Sequence, residues 1–427
     1  MNEAQKAAVL HGEGPAFVAA GPGSGKTTVI VRRLLYLIQE RRIPPQQILV
    51  ITFTKEAALT MQKRFQEQSK AFCKGQTQSK GFVSFGTFHS FFYQIIKSIH
   101  KYSEYQLITQ QEKYRIVKSV LQKDTKEEVT ENNMNQLLTQ VSFYKNTGEV
   151  SREDSTNSPF EKETARSVEE EQKHFLSLME QYENTKAKYQ KIDFDDMLYL
   201  CKKELESDSK LRNIWQKRYS YILIDEYQDI NPIQREIIQL LVAAPHNLFV
   251  VGDDDQAIYG FRGSEADVFR KFIEDYPNAA QITLAENYRC GENIVKASRS
   301  LIEHNKQRVR KELASVNKSA AMGQIRAYGA VSTKECYESL ALRMKEIPIR
   351  KLEEEAVLFR TNSAMQMFAA ILSRYHIPFV LREKVRCIYE HFLMKDLEDY
   401  FLAASGCRER VVFLHLFQRM RVPLGRE

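Results

Sequence analysis

The chain has 427 residues and a mass of 49.7 kDa, enough for two to four domains at roughly 100–200 residues each. Hydrophobic residues at 43% and charged residues at 27% exclude global disorder, and no run reaches the roughly 18 apolar residues of a membrane-spanning helix. Lysine plus arginine (62) exceeds aspartate plus glutamate (55), giving a net +7 and a pI near 8.9, which permits a polyanionic partner without demonstrating one. The N-terminus MNEAQKAAVLHGEGP lacks a basic start followed by an apolar stretch, so no secretory signal is expected and a cytoplasmic location follows. The six cysteines (Cys73, Cys201, Cys290, Cys336, Cys387 and Cys407) are scattered, the closest two 20 residues apart, which gives no zinc, redox or disulfide pattern. The nine histidines lack the close pairing of a metal-binding helix.

In chain order, AFVAAG around Phe17, ILVITFT around Val50, YSYILIDE around Ile222 and NLFVVGDD around Val250 are short, nearly all apolar, and separated by helical sequence. Such runs predict a parallel sheet buried on both faces, with chemistry at the carboxyl ends of the strands. Between about 100 and 190 the pattern is helical without strands; Phe175, Leu178, Met179 and Tyr182 form one stripe, read as core packing. Residues 145–173 hold only Val150, Phe160, Ala165 and Val168 as clearly apolar members, against eight acids and five bases, and predict a solvated loop. The stretch reads as a helical insertion into the sheet domain. After Asn287, the runs GQIRAYGA, EAVLFRTN and IPFVL predict strands of a second α/β domain, followed by the helical VVFLHLFQRM.

Ala20-Gly21-Pro22-Gly23-Ser24-Gly25-Lys26-Thr27 follows a predicted strand and opens a predicted helix. Successive backbone N–H groups wrap a triphosphate only where side chains are absent, which explains the glycines. Lys26 would reach the outer phosphates and the Thr27 hydroxyl would hold Mg²⁺. Ala20 stands where the GxxxxGK[ST] pattern has its first glycine. At the end of Ile222-Leu223-Ile224, Asp225 is placed to hold Mg²⁺ and Glu226 to orient or deprotonate the attacking water. Taken alone an Asp-Glu pair is an acidic turn; with the phosphate loop upstream, NTP hydrolysis is the reading.

Further runs share one order: Asn2-Glu3-Ala4-Gln5, TFTKEAA from Thr52, GTFHS from Gly86, DEYQD from Asp225, VGDDDQAIYGFRG from Val251, and Glu286-Asn287-Tyr288-Arg289. Together they resemble the superfamily-one UvrD/Rep/PcrA-type DNA helicases over essentially the whole chain, most weakly in the helical insertion. The resemblance implies a RecA-like motor. Its first domain (1A) would be 1–100 with 190–285 and its insertion (1B) 101–189. A partial second motor domain (2A) would be 286–395, and 396–427 would begin a truncated helical subdomain (2B).

It also implies roles. Gln5 would read adenine, its amide both donating and accepting, and Tyr288 would stack on the base. The nucleotide set is Gln5, Ala20 to Thr28, Tyr288, Arg289 and Arg360, with Thr28 replacing an arginine frequent in close relatives. Gln256 would sense the γ-phosphate, and Arg289 would neutralise charge on the transferring phosphoryl. Lys26, Asp225, Glu226, Gln256 and Arg289 are thus the catalytic candidates, with ATP and Mg²⁺ as cofactors. Phe53, Tyr259 and Phe261 would stack on bases, and Thr54, His89 and Arg262 would contact or relay from the backbone. Phe261 stands where the family commonly has tryptophan. The implied partners are single-stranded DNA and 3′-tailed duplex, with 3′-to-5′ polarity and no membrane.

TxHxxKG-like and VAxTR-like segments of the family do not occur before Glu427. The expectation is therefore the front portion of a longer helicase that alone unwinds DNA poorly. A natural short form, a broken reading frame and a deliberate truncation remain open. A non-catalytic or weakly catalytic ATP- and DNA-binding fragment is the alternative function. A phosphate-loop ATPase unrelated to nucleic acid leaves the FGTFHS, TFTKEAA and YGFRG segments unexplained.

Overall fold

Four expected strands form, and two more join them in one parallel sheet. In the computed structural model, which describes residues 1–72, 81–124, 129–147, 164–258, 267–305, 308–317, 325–382 and 392–420, these are β1 (Ala16–Ala20), β2 (Ile48–Thr52), β3 (Ser84–Thr87), β4 (Tyr221–Ile224), β5 (Leu248–Gly252) and β6 (Ala280–Leu284). The order is β3-β2-β4-β5-β1-β6. Registers such as Ile51↔Ile224, Ile224↔Val250 and Ala19↔Gly252 bring the carboxyl ends of β2, β4, β5 and β1 to one edge. The inner four are buried throughout and nearly all apolar because helices cover both faces.

Alternation divides each strand between two cores. Ala16, Val18, Val50, Leu223, Phe249 and Val251 face the helices α1 (Glu3–Leu10), α2 (Lys26–Gln39) and α3 (Lys55–Phe72). Phe17, Ala19, Leu49, Ile222, Ile224 and Val250 face α4 (Phe88–Lys97) and later helices of the same unit. Arg33 of α2 is buried with its guanidinium carbon 4.4 Å from the centre of the Phe249 ring. It donates to the carbonyls of Val9 (3.3 Å), His11 (2.6 Å) and Gly12 (3.3 Å), the otherwise unmatched acceptors ending α1. Burial lowers its pKa to about 10, so it stays charged.

Three helices, α5 (Gln110–Asp124), α6 (Glu131–Thr147) and α7 (Thr164–Lys188), enclose their own core of Val117, Val120, Val141, Phe175, Leu178 and Tyr182. Of the loop predicted at 145–173, residues 145–147 instead end α6 and 164–173 begin α7, while 148–163 lie outside the described residues. Acid-rich sequence is compatible with this helix of 25 residues, in which 170–174 are exposed before the buried Phe175. Buried Lys145 and Lys186 tie α6 and α7 to Asp193 and Asp196 at the start of α8 (Phe194–Ser207), at 2.5 Å for Lys145–Asp196 and 3.0 Å for Lys186–Asp193. These charges seat the helical group on the sheet domain, and the two lysines hold the Asp193 carboxyl well below its ordinary range despite burial.

The chain divides into compact units Met1–Ile325 and Arg326–Glu427. The described residues of 286–325 fall within the first of these units, and Ala314–Ser315 pair in parallel with Glu286–Asn287. In the second unit, helices Thr333–Lys345 and Asn362–Arg374 pack through Ala341, Phe368, Ile371 and Leu372. The strands expected at GQIRAYGA, EAVLFRTN and IPFVL do not form among the described residues of those runs, 323–324 lying outside them. Val357 and Phe359 are half-buried on the two helices while Leu358 is 93% exposed, so one face alone is covered. A buried parallel strand needs both faces covered and a bonded neighbour.

Candidate functional site

The turn after β1 is built to bring backbone close to a ligand. Gly23 and Gly25 have φ of 68° and 87°, left-handed values that favour glycine, and Gly25 caps α2. At Gly23 a β-carbon would lie 2.8 Å from the Arg289 Cβ and 2.9 Å from the Asn287 Oδ1. At Gly21 it would meet Leu313. Ser24 closes the turn with a 2.7 Å hydrogen bond from its hydroxyl to the Gly21 carbonyl. Ala20 ends β1, Pro22 and Thr27 are half-buried, and Thr28 is exposed on α2. The N-terminus of α2 thus presents unmatched N–H groups, a ready anion site.

Lys26 Nζ donates to Glu226 Oε2 at 2.9 Å across 200 residues, joining the loop to the carboxylate pair after β4. Glu226 sits in the left-handed region at φ 52°, an uncommon conformation for a residue with a side chain and one that concentrates at functional sites. Asp225 is 6% exposed; burial first, and the Glu226 charge second, raise its carboxyl to about 7. Asp229 is raised to about 6 by the same two causes in the same order. Thr27 and Asp225 offer hard oxygen donors, the type Mg²⁺ takes, and a carboxylate so desolvated fits a divalent ion.

The Asp225 shift carries a stability consequence. A carboxyl whose folded pKa lies above its ordinary 3.8 takes up protons on folding, so its ionisation weakens the fold. The deficit is absent near pH 4, grows as pH rises, and is complete above about pH 7. In Mg²⁺- and nucleotide-free buffer, Asp225→Asn is expected to stabilise the protein at pH 8 by about 2–4 kcal/mol, with the gain vanishing by about pH 4. Melting curves across that range check it; a gain independent of pH removes titration as the cause.

Gln256 lies on a 3₁₀ turn, Asp254–Gln256, beyond β5, its amide Nε2 2.7 Å from Asp253 Oδ2. Gln228, quoted in the DEYQD run without a role, links this turn to the carboxylates. Its Nε2 donates to Glu226 Oε2 at 2.8 Å and its Oε1 accepts the Asp253 N–H at 2.9 Å. Asn287 was likewise legible only as part of a motif. It is buried, donates to the Pro22 carbonyl at 2.7 Å, and accepts the Arg289 and Cys290 N–H groups at 2.9 and 2.8 Å. The exposed Arg289 side chain is therefore carried beside the phosphate loop.

Tyr288 donates from its backbone to the Gly23 carbonyl at 3.0 Å and from its hydroxyl to Glu286 at 2.7 Å, leaving its ring 43% exposed. Gln5 is buried with both ends of its amide engaged, Nε2 to the Ser24 carbonyl at 2.9 Å and Oε1 to the Asn2 N–H at 3.1 Å. It holds the phosphate loop directly, each end of its amide keeping one further hydrogen or lone pair. Arg360 lies in the second unit, exposed, immediately before the capping residue Thr361 of its helix.

Among the expected DNA contacts, Phe53 is half-buried after β2, and Thr54 accepts the Ala57 N–H at 3.1 Å to start α3. His89 opens α4, its ring edge-on to exposed Phe194 with centroids 5.6 Å apart; burial lowers its pKa and favours the neutral imidazole. Phe194 carries no signal of its own in the sequence, because a lone aromatic is ordinarily core. Tyr259, Phe261 and Arg262 lie outside the described residues.

Residues 1–277 match the UvrD/REP helicase N-terminal domain and residues 282–402 the UvrD-like helicase C-terminal domain. The chain is similar to YjcD of Bacillus subtilis (strain 168), provisionally named an ATP-dependent DNA helicase: 32% identity over 424 residues, covering 97% of this chain and 53% of that protein. It is 30% identical over 422 residues to the ATP-dependent DNA helicase Rep of Buchnera aphidicola subsp. Acyrthosiphon pisum (strain APS), covering 97% of this chain and 62% of that one. The ATP-dependent DNA helicase PcrA of Staphylococcus epidermidis (strain ATCC 35984) is 30% identical over 425 residues, with 96% and 54% covered. The chain spans about half the length of the curated relatives it matches. A loop shaped for phosphate, a carboxylate pair wired to it and two contiguous domain matches converge on one conclusion: the chain belongs to the UvrD/REP helicase family.

Proposed function

We propose that this chain is the ATP-hydrolysing motor portion of a DNA translocase, acting on single-stranded DNA and 3′-tailed duplex with 3′-to-5′ polarity. The observation that carries the proposal is the unbroken polar path Lys26–Glu226–Gln228–Asp253–Gln256, with every link between 2.7 and 2.9 Å. A path that begins at the phosphate loop and ends on the turn leading into the YGFRG segment can report the state of the nucleotide to the DNA side.

In this reading Lys26 and the N–H groups opening α2 hold the outer phosphates. Glu226 accepts the proton of the attacking water, and Arg289 neutralises charge as the phosphoryl transfers. Thr27 and Asp225 would hold Mg²⁺, which when bound draws charge from the phosphate oxygens. Tyr288 and Gln5 face the base, and Phe53, Thr54, His89, Tyr259, Phe261 and Arg262 form the DNA track; Arg360 adds a nucleotide contact from the second motor domain. The division into 1–100 with 190–285, the insertion 101–189, and 286–395 followed by 396–427 belongs to the same proposal.

Phosphate release by the 427-residue chain, with and without unstructured single-stranded DNA, tests it. A several-fold stimulation by DNA is expected. DNA and ATP binding without turnover supports a binding unit instead, and turnover indifferent to DNA removes the motor reading.

A further inference from the structure

Residues 308–317 cross the first unit as a strap that touches three parts of the site. At one end Arg308 pairs with Asp255 at 2.6 Å and the Val309 N–H donates to Asp254 at 2.5 Å. At the other, the Ser315 hydroxyl donates to the Cys290 carbonyl at 2.7 Å and Asn317 Nδ2 to the Arg289 carbonyl at 3.1 Å. Between them Leu313 covers Gly21 of the phosphate loop, at the position a side chain there would need. Lys311 is the centre of the strap. Its side chain is fully buried, with Nζ 2.5 Å from Asp253 Oδ1, in contact with Asp254, and 3.3 Å from Asp255 Oδ2.

Three carboxylates whose oxygens lie within 4.8 Å of one another repel strongly in a buried site. Lys311 and Arg308 set two positive charges against those three negative ones. Burial opposes the Lys311 ammonium, yet the Asp253 and Asp254 carboxylates hold its pKa above the ordinary lysine value. With Lys311 on Oδ1, Asp253 is left with Oδ2 for Gln256, and its N–H faces Gln228.

We propose that Lys311 is a positioning residue for ATP hydrolysis, its buried ammonium fixing the Asp253–Asp255 turn so that Gln256 and Gln228 are held in register with the phosphate loop and Arg289. The proposal rests on the ATPase reading above. Removing the ammonium leaves a buried excess of negative charge that opens the turn without touching the nucleotide.

The test compares Lys311→Met with the wild-type chain in ATP turnover and in backbone hydrogen exchange. A fall in kcat of about 10–100-fold with KM for ATP unchanged is expected, the loss that misplacement by about 1 Å produces. Exchange is expected to quicken at the Asp255, Gln256 and Ala257 amides, now held within the turn at 3.3, 2.8 and 3.2 Å, and not in β1, β4 or β5. The double variant Lys311→Met/Asp254→Asn, which removes one repelling carboxylate, is expected to recover part of the turnover. Turnover within twofold of wild type, a loss carried by KM, no recovery in the double variant, or exchange quickened throughout the sheet each overturns the proposal. The exchange arm decides even for a chain with weak turnover. Lys26→Ala run in parallel separates the two ideas: if it too leaves turnover intact, the ATPase reading fails; if it alone abolishes turnover, only Lys311 is misassigned.

Discussion

Lys26→Ala is expected to reduce steady-state ATP hydrolysis by about three orders of magnitude, to background in an ordinary phosphate-release measurement. Two losses combine. The outer phosphates lose a compact cation at the N-terminus of a helix, where charge develops during transfer. Glu226 also loses its partner at 2.9 Å, and the cation that opposes proton uptake by Asp225 and Asp229 is gone. Both carboxyls then rise further, so that Asp225, proposed to hold the metal, is itself more protonated near neutral pH. Turnover that survives the substitution would remove the phosphate-loop assignment and, with it, the reading of Glu226 as base.

Arg289→Ala is expected to separate binding from chemistry. The backbone of Arg289 is held by Asn287, whose own amide holds Pro22, so truncating the side chain leaves the loop in place. ATP affinity should change little, while the single-turnover rate falls about 10³–10⁵-fold, the range for a guanidinium that acts only as charge spreads over the phosphoryl. Equilibrium binding of a fluorescent ATP analogue and a rapid-quench time course give the two numbers separately. A loss confined to affinity would make Arg289 a ground-state contact and leave the transition state without its cation.

The sheet was legible where the physics is one-sided. The four inner strands are buried at every position and nearly all apolar because both faces are covered, and that pattern has few other causes. The two edge strands escaped notice for the same reason inverted. Ser84–Thr87 is half-buried throughout, and Ala280–Leu284 alternates between half-buried and exposed before its buried end, so neither carries a continuous apolar run. In the second unit the error ran the other way: AVLF reads as a buried strand, yet Leu358 faces solvent and no ladder forms there.

The site divides similarly. Lys26, Asp225 and Glu226 announce themselves because glycines and adjacent acids at strand ends have a local chemical reason. Gln228, Asn287 and Lys311 do not, since their importance lies in partners 25, 265 and 58 residues distant: Asp253, Pro22 and Asp253. Only the folded chain brings an amide or an ammonium to those acceptors, and no spacing rule encodes it.

Arg33 has a consequence for ligand choice. By gripping the last carbonyls of α1 from within α2, it fuses the helix that bears Gln5 and the helix that bears Lys26 into one rigid caliper. If Gln5 and Lys26 take the two ends of a nucleotide as proposed, a heterocycle and terminal phosphate spaced too short or too long would meet only one of the two helices.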